Sequence, residues 1–145
     1  MPLKESTNAS TEGHQDIEEI LGLKSRITVN SLRHGLPTQS IQRLGVHLGL
    51  TQSQVLRLLG FGKQRYSRRE ERGRLTVDES DLVVRFARLL VLATLLFEDN
   101  VSAASWLNTP AVALGNETPL AHATTGFGAR NVERLIGRLE QGIPT

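Results

Sequence analysis

Arginine is concentrated in one short part of this sequence. Five arginines fall within a stretch of ten residues: Arg65, Arg68, Arg69, Arg72 and Arg74. A guanidinium group is always charged and can donate paired hydrogen bonds to a phosphate, so such a cluster suits the backbone of a nucleic acid. Residues 25–75 hold ten Lys or Arg against Glu70 and Glu71, a local charge of about +8, although the whole chain carries only +2. The segments 1–24 and 76–145 are each close to −3, so the middle of the chain suits a polyanion and the C-terminal part suits a different partner.

Two short predicted helices would position these arginines. The first begins after Thr51 and buries Val55, Leu58 and Leu59 on one face, and the glycines of GFG end it. The second runs from about residue 63 to residue 72 and stops at Gly73. Two helices joined by a short Gly-containing turn, with Arg and Lys on the second, are typical of a helix-turn-helix DNA-binding motif.

The second of these helices supplies the candidate DNA contacts. The predicted DNA-binding residues are Lys63, Gln64, Arg65, Ser67, Arg68, Arg69 and Arg72. Tyr66 is expected to face inward; Gln can then read adenine and Arg guanine in the major groove, while further Lys and Arg neutralise phosphates. Gly62 stands where a Ser or Thr usually caps a recognition helix, and Glu70 and Glu71 lower the local potential, so binding is expected to be weak unless two copies bind together. The alternative interpretation is a solvated basic face without a ligand.

A second, less basic helical region is predicted to follow. In TVDE, Thr76 and Glu79 form a capping box at the start of a long helix that reaches about Phe97. This helix is too apolar to have a broad exposed face, so its own domain and a second copy of the chain are expected to cover it. A last helix runs from Gly126 and stops at Gly142.

The sequence shows no alternating pattern of the kind that predicts strands, so the fold is predicted to be all-α. Residues 1–15 have almost nothing to bury and are expected to form a disordered tail. Residues 16–75 are predicted to form the helix-turn-helix bundle and residues 76–145 a small second domain.

Composition argues against several other classes of protein. Cysteine is absent, and the four scattered histidines, His14, His34, His47 and His122, have neither metal-ligand spacing nor a nucleophile with an evident base. The sequence therefore predicts no catalytic residue, no metal and no cofactor. The most apolar run, residues 89–97, is too short to span a bilayer, and the N-terminal residues lack an apolar stretch. A soluble cytoplasmic protein without a membrane partner is expected.

Several stretches resemble a known family. LTQSQVLRLLGFGKQRYSRREERG resembles the Xre-type helix-turn-helix, and GRLTVDESDLVVRFARLLVLATLLFED, AASWLNTPAVALGNETPL and GARNVERLIGRLEQGI are similar to the toxin-binding domain of the MbcA/ParS/Xre antitoxins. The resemblance runs in order from about Gly35 to Ile143. It implies an antitoxin that covers the active site of a RES-domain toxin encoded next to it, an enzyme that destroys NAD. It also implies autorepression at operator DNA and a homodimer within the toxin–antitoxin complex.

The same resemblance implies that the end of the chain lies against the toxin. The toxin-binding candidates are Arg134, Arg138, Gln141, Gly142, Ile143, Pro144 and Thr145. Arg134 and Arg138 are one turn apart and can share a face, although a solvated helix face and a frayed end remain the alternatives. Trp106 is expected to be part of the core. The alternative function is a stand-alone dimeric helix-turn-helix transcriptional regulator whose C-terminal domain only dimerises.

Overall fold

The computed structural model describes residues 16–142, and nearly every element in this range is a helix. The helices are α1 (Ile17–Leu21), α2 (Val29–His34), α3 (Gln39–Leu48), α4 (Gln52–Leu59), α5 (Lys63–Arg72), α6 (Val77–Phe97), α7 (Asn100–Leu107), α8 (Pro119–His122) and α9 (Gly126–Glu140), with a 3-10 turn at Val112–Leu114. The all-α prediction is confirmed. The predicted tail, residues 1–15, and the candidates Ile143, Pro144 and Thr145 lie outside the described residues.

Side-chain caps fix where several helices begin. Thr51 and Thr76 each accept a hydrogen bond from the backbone of the third helical residue, and Gln54 and Glu79 return it, so both sites are capping boxes. Such a cap stabilises a helix by about 1 kcal/mol. The capping box predicted at Thr76 is therefore confirmed. Gly73 ends α5 with a left-handed backbone conformation, as the sequence predicts.

Helix α6 is the central element of the fold. It contacts α1 to α4 from the first half of the chain and α7 and α9 from the second half. Val83, Phe86, Leu89 and Leu90 have no exposed surface, and burial of each such side chain contributes about 2 kcal/mol. Because α6 packs against both halves of the chain, the buried residues form one continuous hydrophobic core. The predicted domain boundary, between residues 75 and 76, falls in the turn just before this helix.

The loop after α2 is docked against that same turn. The backbone N–H of Leu75 donates to the carbonyl of Leu36 at 2.8 Å, and the N–H of Leu36 donates to the buried hydroxyl of Ser80 at 2.8 Å. Gly35 has a φ of +89°, and a Cβ atom there would lie only 1.9 Å from the carbonyl oxygen of Leu75. Only glycine permits this approach. The helix-turn-helix is thereby joined to the beginning of α6.

The C-terminal end of α6 is less well covered than its middle. Leu95 is 42% exposed, Phe97 36% and Val101 74%. The Trp106 ring lies 5.8 Å from the ring of Phe97, the last residue of α6, and packs against the core as a partly buried side chain. We call Leu95, Phe97 and Val101, the exposed apolar side chains at the end of α6 and the start of α7, the apolar patch.

Candidate functional site

Helices α4 and α5 form the predicted helix-turn-helix. A three-residue turn, residues 60–62, connects them, and Phe61 within it is buried. Gly62 precedes the first residue of α5, and the helix therefore has no side-chain cap, as the sequence predicts. The N-terminal ends of α4 and α5 face a groove of about 620 Å³ whose polar lining includes Gln52, Ser53 and Lys63. Backbone N–H groups at helix N-termini favour anions, whereas the carboxylate of Glu70, which also lines this groove, opposes them.

Five of the seven predicted DNA contacts lie on the exposed surface of α5. These are Lys63, Gln64, Ser67, Arg68 and Arg72. Tyr66 faces the other way and packs against the core as a partly buried residue. The half-buried side of α5 carries Arg65, Tyr66 and Arg69, whereas the polar side chains at positions 63, 64 and 67 are exposed. Glu71 is also exposed on this side and reduces its positive potential at the far end.

The other two predicted contacts, Arg65 and Arg69, are held by a single buried carboxylate. Arg65 donates from Nε to Oε2 of Glu79 at 2.8 Å, with its Nη2 at 2.7 Å, and Arg69 donates from Nε to Oε1 at 2.7 Å. The side chains of Arg65, Arg69 and Glu79 are 41%, 15% and 2% exposed. The Arg65 guanidinium also lies 4.4 Å from the centre of the Phe61 ring. The structure therefore groups these two arginines with Glu79 and not with the exposed side chains of α5.

Glu79 remains ionised in this environment. Burial by itself raises the pKa of the carboxyl group, but hydrogen bonds from Arg69, from the backbone N–H of Thr76 and from Arg65 outweigh it and lower the pKa from 4.5 to about 2. The bond to Glu79 in turn raises the pKa of Arg69. Sequence reasoning identified Glu79 as a helix cap but missed this second role, which depends on the distance between α5 and α6.

The predicted partner surface lies on α9. Five polar or aromatic residues lie on one exposed or half-exposed side of this helix and of the residue that follows it: Phe127, Asn131, Arg134, Arg138 and Gln141. Each follows the previous one by three or four positions, the spacing that places side chains on one helix face. Val132 and Ile136 on the opposite side are buried in the core. We call the five residues the α9 stripe. Arg134 and Arg138 thus share a face, as their spacing predicts, and the candidate Gly142 is exposed just beyond the helix.

A cleft of about 500 Å³ lies between the α9 stripe and the loop around residues 113–117. One wall is a chain of hydrogen bonds. Arg134 donates to Oδ1 of Asn131 at 3.1 Å, and the Asn131 amide lies 3.3 Å from Nε2 of His122, whose Nδ1 lies 2.9 Å from Oε1 of Glu117. Among residues 16–142 no carboxylate pairs with Arg134 or Arg138. Both side chains are exposed.

Helix α6 holds α9 in place. Arg85 donates to the carbonyl oxygens of Ala123 and Thr124 at 3.3 and 2.9 Å, and Arg88 pairs with Glu133 at 2.8 Å. These contacts come from the helix that also carries Glu79. A rigid scaffold of this kind lets the α9 stripe act as a fixed surface.

Phe127 is a feature of the α9 stripe that sequence reasoning missed. It is 67% exposed at the first turn of the helix, with the Arg130 guanidinium 6.0 Å from the centre of its ring. Exposed aromatic rings beside arginine are enriched at protein interfaces. The sequence does place Phe127 on the same helix face as the two later residues, because it precedes Asn131 by four positions and Arg134 by seven.

No helix in the described part of the chain is long and apolar enough to cross a membrane. Within residues 16–142 there is also no group of three or more His, Asp or Glu side chains that could hold a metal ion.

Comparison with known proteins finds relatives for both parts of the molecule. Residues 28–88 match the family model described as the antitoxin Xre-like helix-turn-helix domain, and residues 92–142 match the antitoxin Xre/MbcA/ParS C-terminal toxin-binding domain. The first match includes the beginning of α6. The chain is 37% identical over 114 residues to "Antitoxin Xre" of Photorhabdus laumondii, with 77% of each chain covered. It is 32% identical over 122 residues to "Antitoxin Xre" of Yersinia enterocolitica, which covers 83% of this chain and 82% of the relative.

Proposed function

The chain belongs to the Xre/MbcA/ParS family of antitoxins, and we propose that it neutralises a RES-type, NAD-degrading toxin encoded beside it and represses their shared promoter. One observation carries this proposal. A helix-turn-helix with an exposed basic helix, and a second exposed surface whose arginines have no described acidic partner, lie on different parts of one continuous core. The protein acts by binding and not by catalysis. We expect it to act in the cytoplasm, where promoter DNA and toxin both occur.

Operator DNA binds along the exposed side of α5. Lys63, Gln64, Ser67 and Arg68 lie near the N-terminal half of this helix, where a recognition helix reaches base edges in the major groove. Arg72 and Arg57 are exposed and contact phosphates. Arg65 and Arg69, which the sequence also suggested as DNA contacts, act indirectly through Glu79.

The toxin binds to the α9 stripe and the cleft beside it. Arg134 and Arg138 provide two positive charges without a described acidic partner, and Phe127 adds a large exposed apolar surface at the other end of the stripe. A fully desolvated aromatic or arginine anchor commonly dominates the energy of an interface. The RES-type identity of the toxin rests on the family resemblance of the C-terminal segment.

A second copy of the chain covers the apolar patch formed by Leu95, Phe97 and Val101. Apolar patches that remain exposed in a monomer commonly mark a protein interface. A dimer carries two recognition helices, which compensates for the weak cap and the acidic residues of a single one.

Co-expression with the neighbouring gene tests the antitoxin function. The neighbour's product, expressed alone, is expected to stop growth and deplete NAD, and this chain is expected to restore both and to co-purify with it. The purified chain should also shift a DNA fragment from its own promoter. If the neighbour is harmless and does not co-purify while promoter binding persists, the chain is instead a stand-alone dimeric transcriptional regulator.

A further inference from the structure

The buried carboxylate of Glu79 connects the recognition helix to the central helix of the fold. It lies in the first turn of α6 and binds three groups at once: the guanidinium groups of Arg65 and Arg69 from α5, and the backbone N–H of Thr76 at 2.8 Å. With 2% of its side chain exposed, this carboxylate is shielded from water. A buried ion pair of this kind fixes the relative orientation of the two helices that carry it, because separating the partners would leave a buried charge unpaired.

We propose that Glu79 is a positioning residue for DNA recognition, which fixes the angle of α5 and withholds Arg65 and Arg69 from DNA phosphates. The inference rests on the proposed binding of operator DNA. It assigns to the first turn of α6 a role in specificity, although none of the candidate DNA contacts lies in this turn.

Helix α5 needs such an attachment because it has little apolar surface. None of its residues is fully buried, and Tyr66 is its one partly buried hydrophobic side chain. Its C-terminal end is tied down by Thr38, which donates from its hydroxyl to the carbonyl of Arg69 at 2.8 Å and from its N–H to the carbonyl of Gly73 at 3.2 Å. The Glu79 ion pairs hold the side chains of the inner face. Without them α5 could rotate or tilt about its C-terminal attachment.

Withholding two arginines also favours specific over non-specific binding. Contacts between arginine and phosphate add affinity for any DNA sequence and carry no information about the bases. Glu79 pairs with both guanidinium groups, so the three side chains together carry a charge of about +1 instead of +2. The exposed residues Gln64, Ser67 and Arg68 then contribute a larger share of the remaining interaction with DNA.

The variant Glu79→Gln tests the proposal because the two possible roles predict opposite results. If Glu79 acts only as a negative charge near DNA, its removal strengthens binding to every duplex. If it positions α5, operator affinity falls by roughly tenfold or more, since both arginines lose their charged partner. The glutamine keeps a side-chain oxygen that can still accept from the N–H of Thr76.

The released arginines give a second readout that a loss of stability would not produce. Affinity for a random duplex should rise, and the slope of log K against log salt should become steeper by about 0.9 for each arginine that reaches a phosphate. Asp78→Asn is the matched control, since it removes the same charge from the neighbouring exposed position. It should change both affinities slightly and in the same direction.

Single arginine variants keep the test decisive if Glu79→Gln does not fold. Arg65→Gln should weaken operator binding while leaving the salt slope as in the wild type, whereas Arg68→Gln should reduce the slope by about 0.9. A reduced slope for Arg65→Gln, or tighter operator binding by Glu79→Gln, would overturn the inference. If the wild-type chain does not bind its promoter, the proposed function itself fails, which is a separate outcome.

Discussion

The Nε atom of Arg69 lies 2.7 Å from the carboxylate of Glu79, and this bond joins the recognition helix α5 to the central helix α6. The same Oε1 atom accepts the N–H of Thr76 at 2.8 Å and so completes the cap of α6. A single side chain therefore contributes both to the cap of α6 and to the attachment of α5. Loss of its charge should affect both stability and DNA binding.

Stability should fall in acid as Glu79 becomes protonated. The pKa of Glu79 is lowered from 4.5 to about 2, so its contribution is fully present above pH 4.5 and is lost as the pH falls toward 2. A pKa difference of one between the folded and unfolded states corresponds to about 1.4 kcal/mol of stability. Because Arg65 is partly exposed to screening solvent, we expect protonation of Glu79 to lower the free energy of unfolding by on the order of 2 kcal/mol. Urea unfolding followed by circular dichroism between pH 7 and pH 2 measures it.

The variant Glu79→Gln is the control for this pH dependence. It should be less stable than the wild type at pH 7, and the difference should shrink steadily below pH 4.5. If the difference in the free energy of unfolding between the two proteins stays constant down to pH 2, the lowered pKa is not that of Glu79.

The sequence predicts the helices well because their ends carry local signals. Threonine caps at Thr51 and Thr76 and glycine stops at Gly49 and Gly73 act within one turn of chain, so no tertiary information is needed. The helical period likewise places Arg134 and Arg138 on one face. Packing is harder to predict, and the role of α6 in the cores of both halves follows from contacts between distant residues.

The arrangement around Glu79 could not be predicted from local patterns. Arg65 and Arg69 are four residues apart, which indicates a shared face but does not show whether solvent, DNA or protein meets it. Their partner comes ten residues after Arg69 and on another helix. Likewise, Arg85 finds the carbonyls of Ala123 and Thr124 nearly forty positions along the chain, a contact that depends on the path of the intervening loop.

Charge reversal on the α9 stripe should weaken toxin binding. In Arg134→Glu or Arg138→Glu the new carboxylate would repel an acidic partner, and we expect affinity for the toxin to fall roughly a hundredfold. Binding of the wild type should weaken at high salt. Calorimetry with the purified neighbouring gene product measures this. Lys24→Glu, an equal change in the exposed loop between α1 and α2, should have no effect. Unchanged affinity in both arginine variants would remove the stripe from the interface.

Truncation of Phe127 should affect binding much more than stability. The side chain is already 67% exposed, so Phe127→Ala should change the free energy of unfolding by less than about 0.5 kcal/mol. If the ring is buried by the toxin, affinity should fall by roughly tenfold or more. Val46→Ala, at a 71% exposed position on α3, is the matched control and should retain full affinity. Equal affinity for Phe127→Ala and the wild type would mean that the toxin does not cover this end of α9.

A charge within the apolar patch should separate dimerisation from toxin binding. Leu95 is 42% exposed in the single chain, so Leu95→Asp should fold, but a second copy would have to bury its carboxylate without a partner. Sedimentation velocity should then show a monomer at concentrations where the wild type is a dimer. Operator affinity should drop because the two recognition helices are no longer linked, while the α9 stripe still binds toxin. Val29→Asp, at a 63% exposed position on α2, should remain dimeric. A dimer that persists in Leu95→Asp would show that the copies associate through another surface.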